Sequence, residues 1–152
     1  MILQVNKLIN TCFHLPGSAG IKVVANEGSD VTLRCSPSTK ENLEKKVFDW
    51  KKEAQKDKRQ LEVFFYDAGV HYNNGRAGQS EQFRGQVSHF SDELKDGNAS
   101  IQIRETKVTD SGTYTCVFPL FQPRQIFNIE LVVGDTTNLD AKTYNLTTNT
   151  AE

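Results

Sequence analysis

From residue 21 onward, apolar and polar side chains alternate in short runs, and turn-forming residues separate the runs. In "VTLRC" (31–35), Val31, Leu33 and Cys35 fall on one face and Thr32 and Arg34 on the other. In "TDSGTYTC" (109–116), Asp110, Gly112, Tyr114 and Cys116 share one face, while the β-branched Thr113 and Thr115 point the other way. A step of two is the period of a strand, and β-branched residues suit one. The same reading predicts strands at about 21–26, 30–36, 46–52, 61–67, 85–90, 99–104, 112–118 and 126–133, with a short one near 70–73. Between them lie the turn signals "NEGSD", "SPSTKEN", "YNNG", "KDGN" and "TDSG". "ENLEKK" and "DELKDG" carry a competing helical reading, but both are short. Many short strands at this spacing predict an all-β sandwich or barrel.

The pattern fades at both ends. Residues 1–20, "MILQVNKLINTCFHLPGSAG", read as a cleavable signal peptide, with Gly17 and Ala19 at the small-residue positions of a cleavage after Ala19. They read equally as an atypical leader, because Asn10, Thr11 and His14 interrupt the apolar run. Cys12 leaves with a signal peptide; retained, it is an exposed thiol able to link chains. The segment 135–152 is rich in Thr and Asn, lacks a core-facing period, and reads as a polar stalk or disordered tail. The pattern thus divides the chain into a leader, one β domain over 21–134, and a tail.

Three cysteines leave one thiol over. Cys35 and Cys116 both face a core from strands, and pairing them closes a loop of 81 residues. On the chain-entropy account that bond stabilises by roughly 4–5 kcal/mol, and it implies an oxidising compartment. Two buried free thiols are the alternative. The sequons Asn98-Ala99-Ser100 and Asn145-Leu146-Thr147 offer glycosylation sites that fit an extracellular setting.

Composition narrows the function. A formal charge of −1 over 152 residues gives no basic surface for nucleic acid. No run of about 20 apolar residues is present to insert in a membrane. His14, His71 and His89 are isolated in sequence, without metal-ligand spacing, and read as surface or satisfied histidines. The glycine-rich "GVHYNNGRAG" lacks the Gly-Lys-Ser/Thr ending that holds phosphate, and Ser111 has no histidine placed to activate it. The lysine-rich "KKEAQKDKRQ" (51–60), diluted by Glu53 and Asp57, reads as a solvated loop. No enzyme chemistry, metal or cofactor is expected.

Trp50 follows Cys35 by 15 residues and shares a face with Phe48. Cys35, Trp50 and the Asp110-x-Gly112-x-Tyr114-x-Cys116 run resemble the framework of an immunoglobulin V-type domain, over residues 21–134. The resemblance implies a Greek-key β-sandwich of about nine strands with one inter-sheet disulfide. It implies C′ and C″ strands at 61–67 and near 70–73, and a corner in which the Tyr114 hydroxyl bonds backbone in the preceding turn. One departure stands out. Such domains pair an arginine at the start of strand D with the acid before strand F, here Asp110. The aligned place after Gly85 holds Gln86, with Arg84 two residues earlier. Either Arg84 reaches Asp110 or Gln86 makes a neutral hydrogen bond, and an absent or shifted ion pair is expected.

The last strand lacks the Phe-Gly-x-Gly bulge of antigen-receptor domains. Instead "FRG", "LKDGNAS" and "IRETKVTDSG" resemble the butyrophilin, myelin-oligodendrocyte-glycoprotein and T-cell costimulatory-ligand branch, with a fish-type member suggested. That likeness implies an extracellular domain that binds a protein receptor on another cell, a lymphocyte, and modulates T-cell activation. Homophilic adhesion, with weak homodimers, and a secreted decoy are the alternatives. Relatives carry a second domain and a membrane helix that these residues do not contain, so an ectodomain fragment or secreted form is expected.

Binding on a sandwich belongs to loops and exposed sheet faces. "PLFQPRQ" (119–125) holds Leu120, Phe121 and Arg124 between prolines, apolar and cationic anchors on a restricted backbone. Phe121 reads either as presented to a partner or as folded back over the sandwich end. In "EVFFYD" (62–67), strict alternation puts Val63 and Phe65 inside and leaves Phe64 and Tyr66 on the outer sheet face. Phe64→Ala or Phe121→Ala is then expected to weaken binding without unfolding the domain.

Overall fold

The computed structural model describes residues 20–135. The leader, Cys12, Asn145 and the tail beyond Asp135 lie outside the described residues. Nine strands form two sheets: β1 (Ile21–Asn26), β2 (Val31–Leu33), β3 (Val47–Glu53), β4 (Gln60–Asp67), β5 (Val70–His71), β6 (Val87–His89), β7 (Ile101–Ile103), β8 (Gly112–Phe118) and β9 (Gln125–Gly134). One sheet runs β1-β9-β8-β3-β4-β5 and the other β2-β7-β6. β1 joins β9 in parallel, and every other pairing is antiparallel. β4 and β5 occupy the places expected of C′ and C″.

The sequence pattern placed each strand, but β2 is shorter than predicted. Beyond Leu33 the pairing passes to irregular bonds: Ala99 N donates to the Cys35 carbonyl at 2.9 Å, and Cys35 N to Ser100 Oγ at 3.1 Å. "DELKDG" falls in a 3₁₀ helix, Ser91–Asp96, whereas "ENLEKK" is a turn. The helix ends on Gly97 at φ 82°, where a Cβ would stand 2.6 Å from the Lys40 backbone carbon, so only glycine fits.

The core is as the framework residues imply. Cys35 and Cys116 are bonded, with Cα atoms 6.6 Å apart. Trp50 is fully buried, and its Nε1–H donates to the Ala99 carbonyl at 2.8 Å, joining the two sheets. The buried indole N–H is therefore satisfied, as the apolar surroundings require. The Tyr114 hydroxyl donates to the Asp110 carbonyl at 2.6 Å, forming the expected corner.

Asp110 is held in neither of the expected ways. Gln82 Nε2 donates to Asp110 Oδ1 at 2.8 Å, and Lys107 N to Oδ2 at 2.8 Å. Arg84 instead pairs with Glu81 at 2.7 Å on the surface. The cause is local. Phe83 buries completely in the 3₁₀ turn Glu81–Phe83, which brings its neighbour Gln82 to Asp110 and sends Arg84 outward. A second substitute comes from the stretch read as a solvated loop: Lys52 is 2% exposed, and its Nζ donates to the Thr109 carbonyl at 2.6 Å. Residues 51–53 belong to β3, so the loop proper is confined to 54–59.

Candidate functional site

The six-stranded sheet packs one face on its partner sheet and turns the other outward. Which aromatics lie outward is decided by a bulge in β4. Pairing runs Asp49↔Phe65 and Trp50↔Phe64, then Lys51↔Glu62 and Lys52↔Leu61, with the register shift between Trp50 and Lys51. Val63 is the extra residue, so it and Phe64 both point inward. Alternation resumes with the opposite parity, which corrects the expected assignment. Phe64 and Tyr66 are core residues, 0% and 3% exposed, and Phe65 lies on the outer face. Tyr66 also stacks on Phe48 at 4.9 Å and gives its hydroxyl to the Glu44 carbonyl at 2.7 Å. Neither Phe64 nor Tyr66 is available to a partner.

The outer face carries a row running across four strands: Phe65, Asp49, Val117 and Ile126 are successive cross-strand partners. The guanidinium of Arg76 stacks 3.9 Å from the centre of the Phe65 ring. Ile126 is 51% exposed. Beside this row runs a polar one, Glu62, Lys51, Thr115 and Asn128. Strand pairing fixes both rows, so the face is preformed.

Asp49 is the unusual member. Its Oδ2 lies 3.5 Å from Lys51 Nζ, which also reaches Glu62 Oε1 at 3.4 Å, and Tyr72 donates to the other Glu62 oxygen at 3.2 Å. Asp49 Oδ1 is buried and makes no hydrogen bond. Burial first, and then the neighbouring Glu62 carboxylate, push the Asp49 pKa up to about 7, against the opposing pull of Lys51.

At the end of this face the 119–125 loop divides its residues between two roles. Phe121 folds back: its ring lies 5.1 Å from Phe118 and packs against the core, with Lys46 Nζ 5.9 Å above it. Leu120 projects, 71% exposed, and Arg124 is exposed nearby. Gln125 Oε1 accepts a 2.9 Å bond from Ser38 N, tying the end of the loop to the segment after β2. Of the residues named from sequence for binding, Leu120 and Arg124 are presented, Phe121 forms the rim, and Phe64 and Tyr66 are lost to the core. Sequence reading missed Phe65, Asp49, Val117 and Ile126. Asp49 and Ile126 were findable, since each neighbours an inward residue on a regular strand; Phe65 was hidden by the bulge. Asn98 leads into β7 in the three-stranded sheet, and its Nδ2 donates to Glu93 Oε2 at 2.6 Å. Among the described residues, no group of three or more His, Cys, Asp or Glu side chains is placed to hold a metal ion.

Comparison with known proteins agrees with this architecture. The immunoglobulin V-set domain model matches residues 21–149. The chain is 32% identical over 109 residues to rat V-set domain-containing T-cell activation inhibitor 1, which covers 72% of this chain and 36% of that protein. It is 26% identical over 111 residues to human butyrophilin subfamily 2 member A2, covering 73% of this chain and 20% of the other. The matches thus span about a third of these relatives' length or less. The crystal structure of the human B7-H4 IgV-like domain superposes with a TM-score of 0.61 at 29% identity, covering 73% of this chain and 90% of that one. The chain belongs to the immunoglobulin V-set family, in the branch that holds the butyrophilins and the T-cell costimulatory ligands.

Proposed function

We propose that this chain is the extracellular recognition domain of a cell-surface or secreted protein that binds a receptor on lymphocytes and modulates T-cell activation. The observation that carries the reading is the outward face of the six-stranded sheet. It presents the Phe65–Asp49–Val117–Ile126 row, with Leu120 projecting beyond it at 71% exposure. An exposed leucine and an exposed isoleucine on one hairpin are costly to leave in water and suit an apolar pocket on a partner. Relatives named for inhibiting T-cell activation support the choice of partner cell. Glycans on Asn98 and Asn145 belong to the same reading. The Asn98 glycan stands at the entry to the opposite sheet and leaves the recognition face clear.

Staining of resting and activated lymphocytes with multimers of the chain tests this, since avidity recovers weak monomer binding. The wild type is expected to stain activated cells, and Leu120→Ala/Ile126→Ala multimers to lose at least about tenfold in apparent affinity, two truncated contacts at roughly 1 kcal/mol each. Absence of staining by folded wild-type multimers sinks the reading. If concentration-dependent dimers appear in its place, the face serves homophilic adhesion.

A further inference from the structure

His71 and His89 are 18 residues apart and belong to different sheets, His71 at the end of β5 and His89 at the end of β6. The fold brings their rings to 4.7 Å, edge to face. Both pack on aromatic faces from β4: His89 lies 5.2 Å from Phe64 and 5.5 Å from Tyr66, and His71 5.6 Å from Phe64 and 6.2 Å from Tyr66. His89 Nδ1 is buried without a hydrogen-bond partner. His71 Nδ1 accepts from Asn73 N at 3.3 Å, which places the ring proton of the neutral form on Nε2.

This pair joins the two sheets where the backbone does least. β5 has two residues, paired only through Tyr66↔His71 and Asp67↔Val70. Across the same edge Asn73 Nδ2 also donates to the Val87 carbonyl, at 3.0 Å.

We propose that His71 and His89 form an acid-sensitive latch, which holds β5 against β6 while both rings are neutral and releases that edge in an acidified endocytic compartment. Two imidazolium rings at 4.7 Å repel, and among the described residues no carboxylate is bonded to either ring to offset them. Asp67, at the end of β4, and Asp92, on the 3₁₀ helix after β6, are exposed to solvent. Glu62 is held by Tyr72 and Lys51, Glu44 by Asn42, and Glu93 by Asn98. Arg104, which bonds Ser88 on β6, adds positive charge. The Phe64 and Tyr66 faces accommodate one imidazolium by cation–π attraction, but not the mutual repulsion of two. Burial, and for His89 the charge of His71 as well, lower both histidines' pKa values, that of His89 to about 4. The open edge takes up protons at the ordinary histidine pKa, near 6.5, and the closed edge does not. Opening therefore becomes easier as pH falls from about 6.5 towards 4, by about 25-fold between pH 7.4 and 5 for one histidine.

Hydrogen exchange of the chain at pH 7.4 and pH 5.0, corrected for intrinsic chemical exchange, tests the latch. Amides of residues 68–75 and 87–89 are expected to lose protection by about 25-fold or more at pH 5.0, while β3 and β8 stay protected. In His71→Phe/His89→Phe, which keeps the rings and removes the titration, the loss is expected to vanish. Equal protection at both pH values, or the same loss in the double variant, overturns the proposal. Should that variant fail to fold, NMR titration of the wild-type His89 ring decides: a midpoint well below 6 upholds the latch, and one near 6.5 overturns it.

Discussion

The Lys52 ammonium donates to the Thr109 carbonyl at 2.6 Å, one residue ahead of the corner acid Asp110. The lysine stands where β3 turns its inward face to the base of the sandwich, two positions beyond Trp50. Burial lowers its pKa and the Asp110 carboxylate opposes that shift, so the buried charge has a partner. Gln82 bonds the Asp110 carboxylate and Lys52 acts on it by charge, at the place where the resemblance implied an arginine. Lys52→Met keeps the volume and removes the charge beside Asp110 and the shorter of the two bonds to the Thr109 carbonyl, the other being from Gln82 at 3.1 Å. A loss of about 2–3 kcal/mol is expected in urea denaturation. An unchanged midpoint would show that Gln82 and the Lys107 amide suffice to hold Asp110.

Gly112 stands against the same lysine. Its φ is 148°, and a Cβ there would meet Lys52 Cε at 3.0 Å. The glycine of the Asp-x-Gly-x-Tyr run is thus required twice, by its backbone and by the close passage of Lys52. Gly112→Ala is expected to cost about 1–3 kcal/mol. The steric share should be relieved in a Lys52→Ala background and the backbone share should remain. Full additivity of the two changes in a double-mutant cycle would argue against contact between these residues.

Phe64 and Phe65 are expected to separate stability from recognition. Phe64 is fully buried against Phe48 and His89, so Phe64→Ala should cost about 3–5 kcal/mol by cavity formation. Phe65→Ala removes an outward ring capped by Arg76, and should cost about 1 kcal/mol or less while weakening binding to activated lymphocytes. Melting curves and multimer staining of the two variants read both effects. The opposite ranking in stability would mean that Phe65 rather than Phe64 faces the core.

The same two residues mark where the sequence was legible. Period two located every strand, because alternation of apolar and polar positions is what a half-buried sheet requires. It located Cys35, Trp50, Tyr114 and Cys116 on inward faces for the same reason. It failed at Val63, since a bulge adds one residue without a composition of its own and reverses every face beyond it. Lys52 failed differently: its charge outweighed its phase, although the phase from Phe48 and Trp50 pointed it inward. Residues that meet only through the sandwich, such as Gln82 with Asp110 and His71 with His89, have no signature along the chain.

Asp49 gives the outer sheet face a pH dependence of its own. Its folded pKa, about 7, lies above the unfolded value of 3.8. The folded state therefore holds a proton that the unfolded state releases between about pH 4 and 7. Stability from this group is fully present below pH 4 and is lost as pH rises through 7. This is opposite in sign to the histidine latch, which weakens on acidification. Asp49→Asn removes the proton uptake while preserving the shape. The variant is expected to gain on the wild type as pH rises, by on the order of 2 kcal/mol between pH 5 and 8, after discounting for the solvent that reaches this face. Denaturation of both proteins at the two pH values measures the difference, and the histidine contribution, common to both, cancels. A difference that stays constant with pH would mean that Asp49 is ionised throughout, with Lys51 outweighing Glu62.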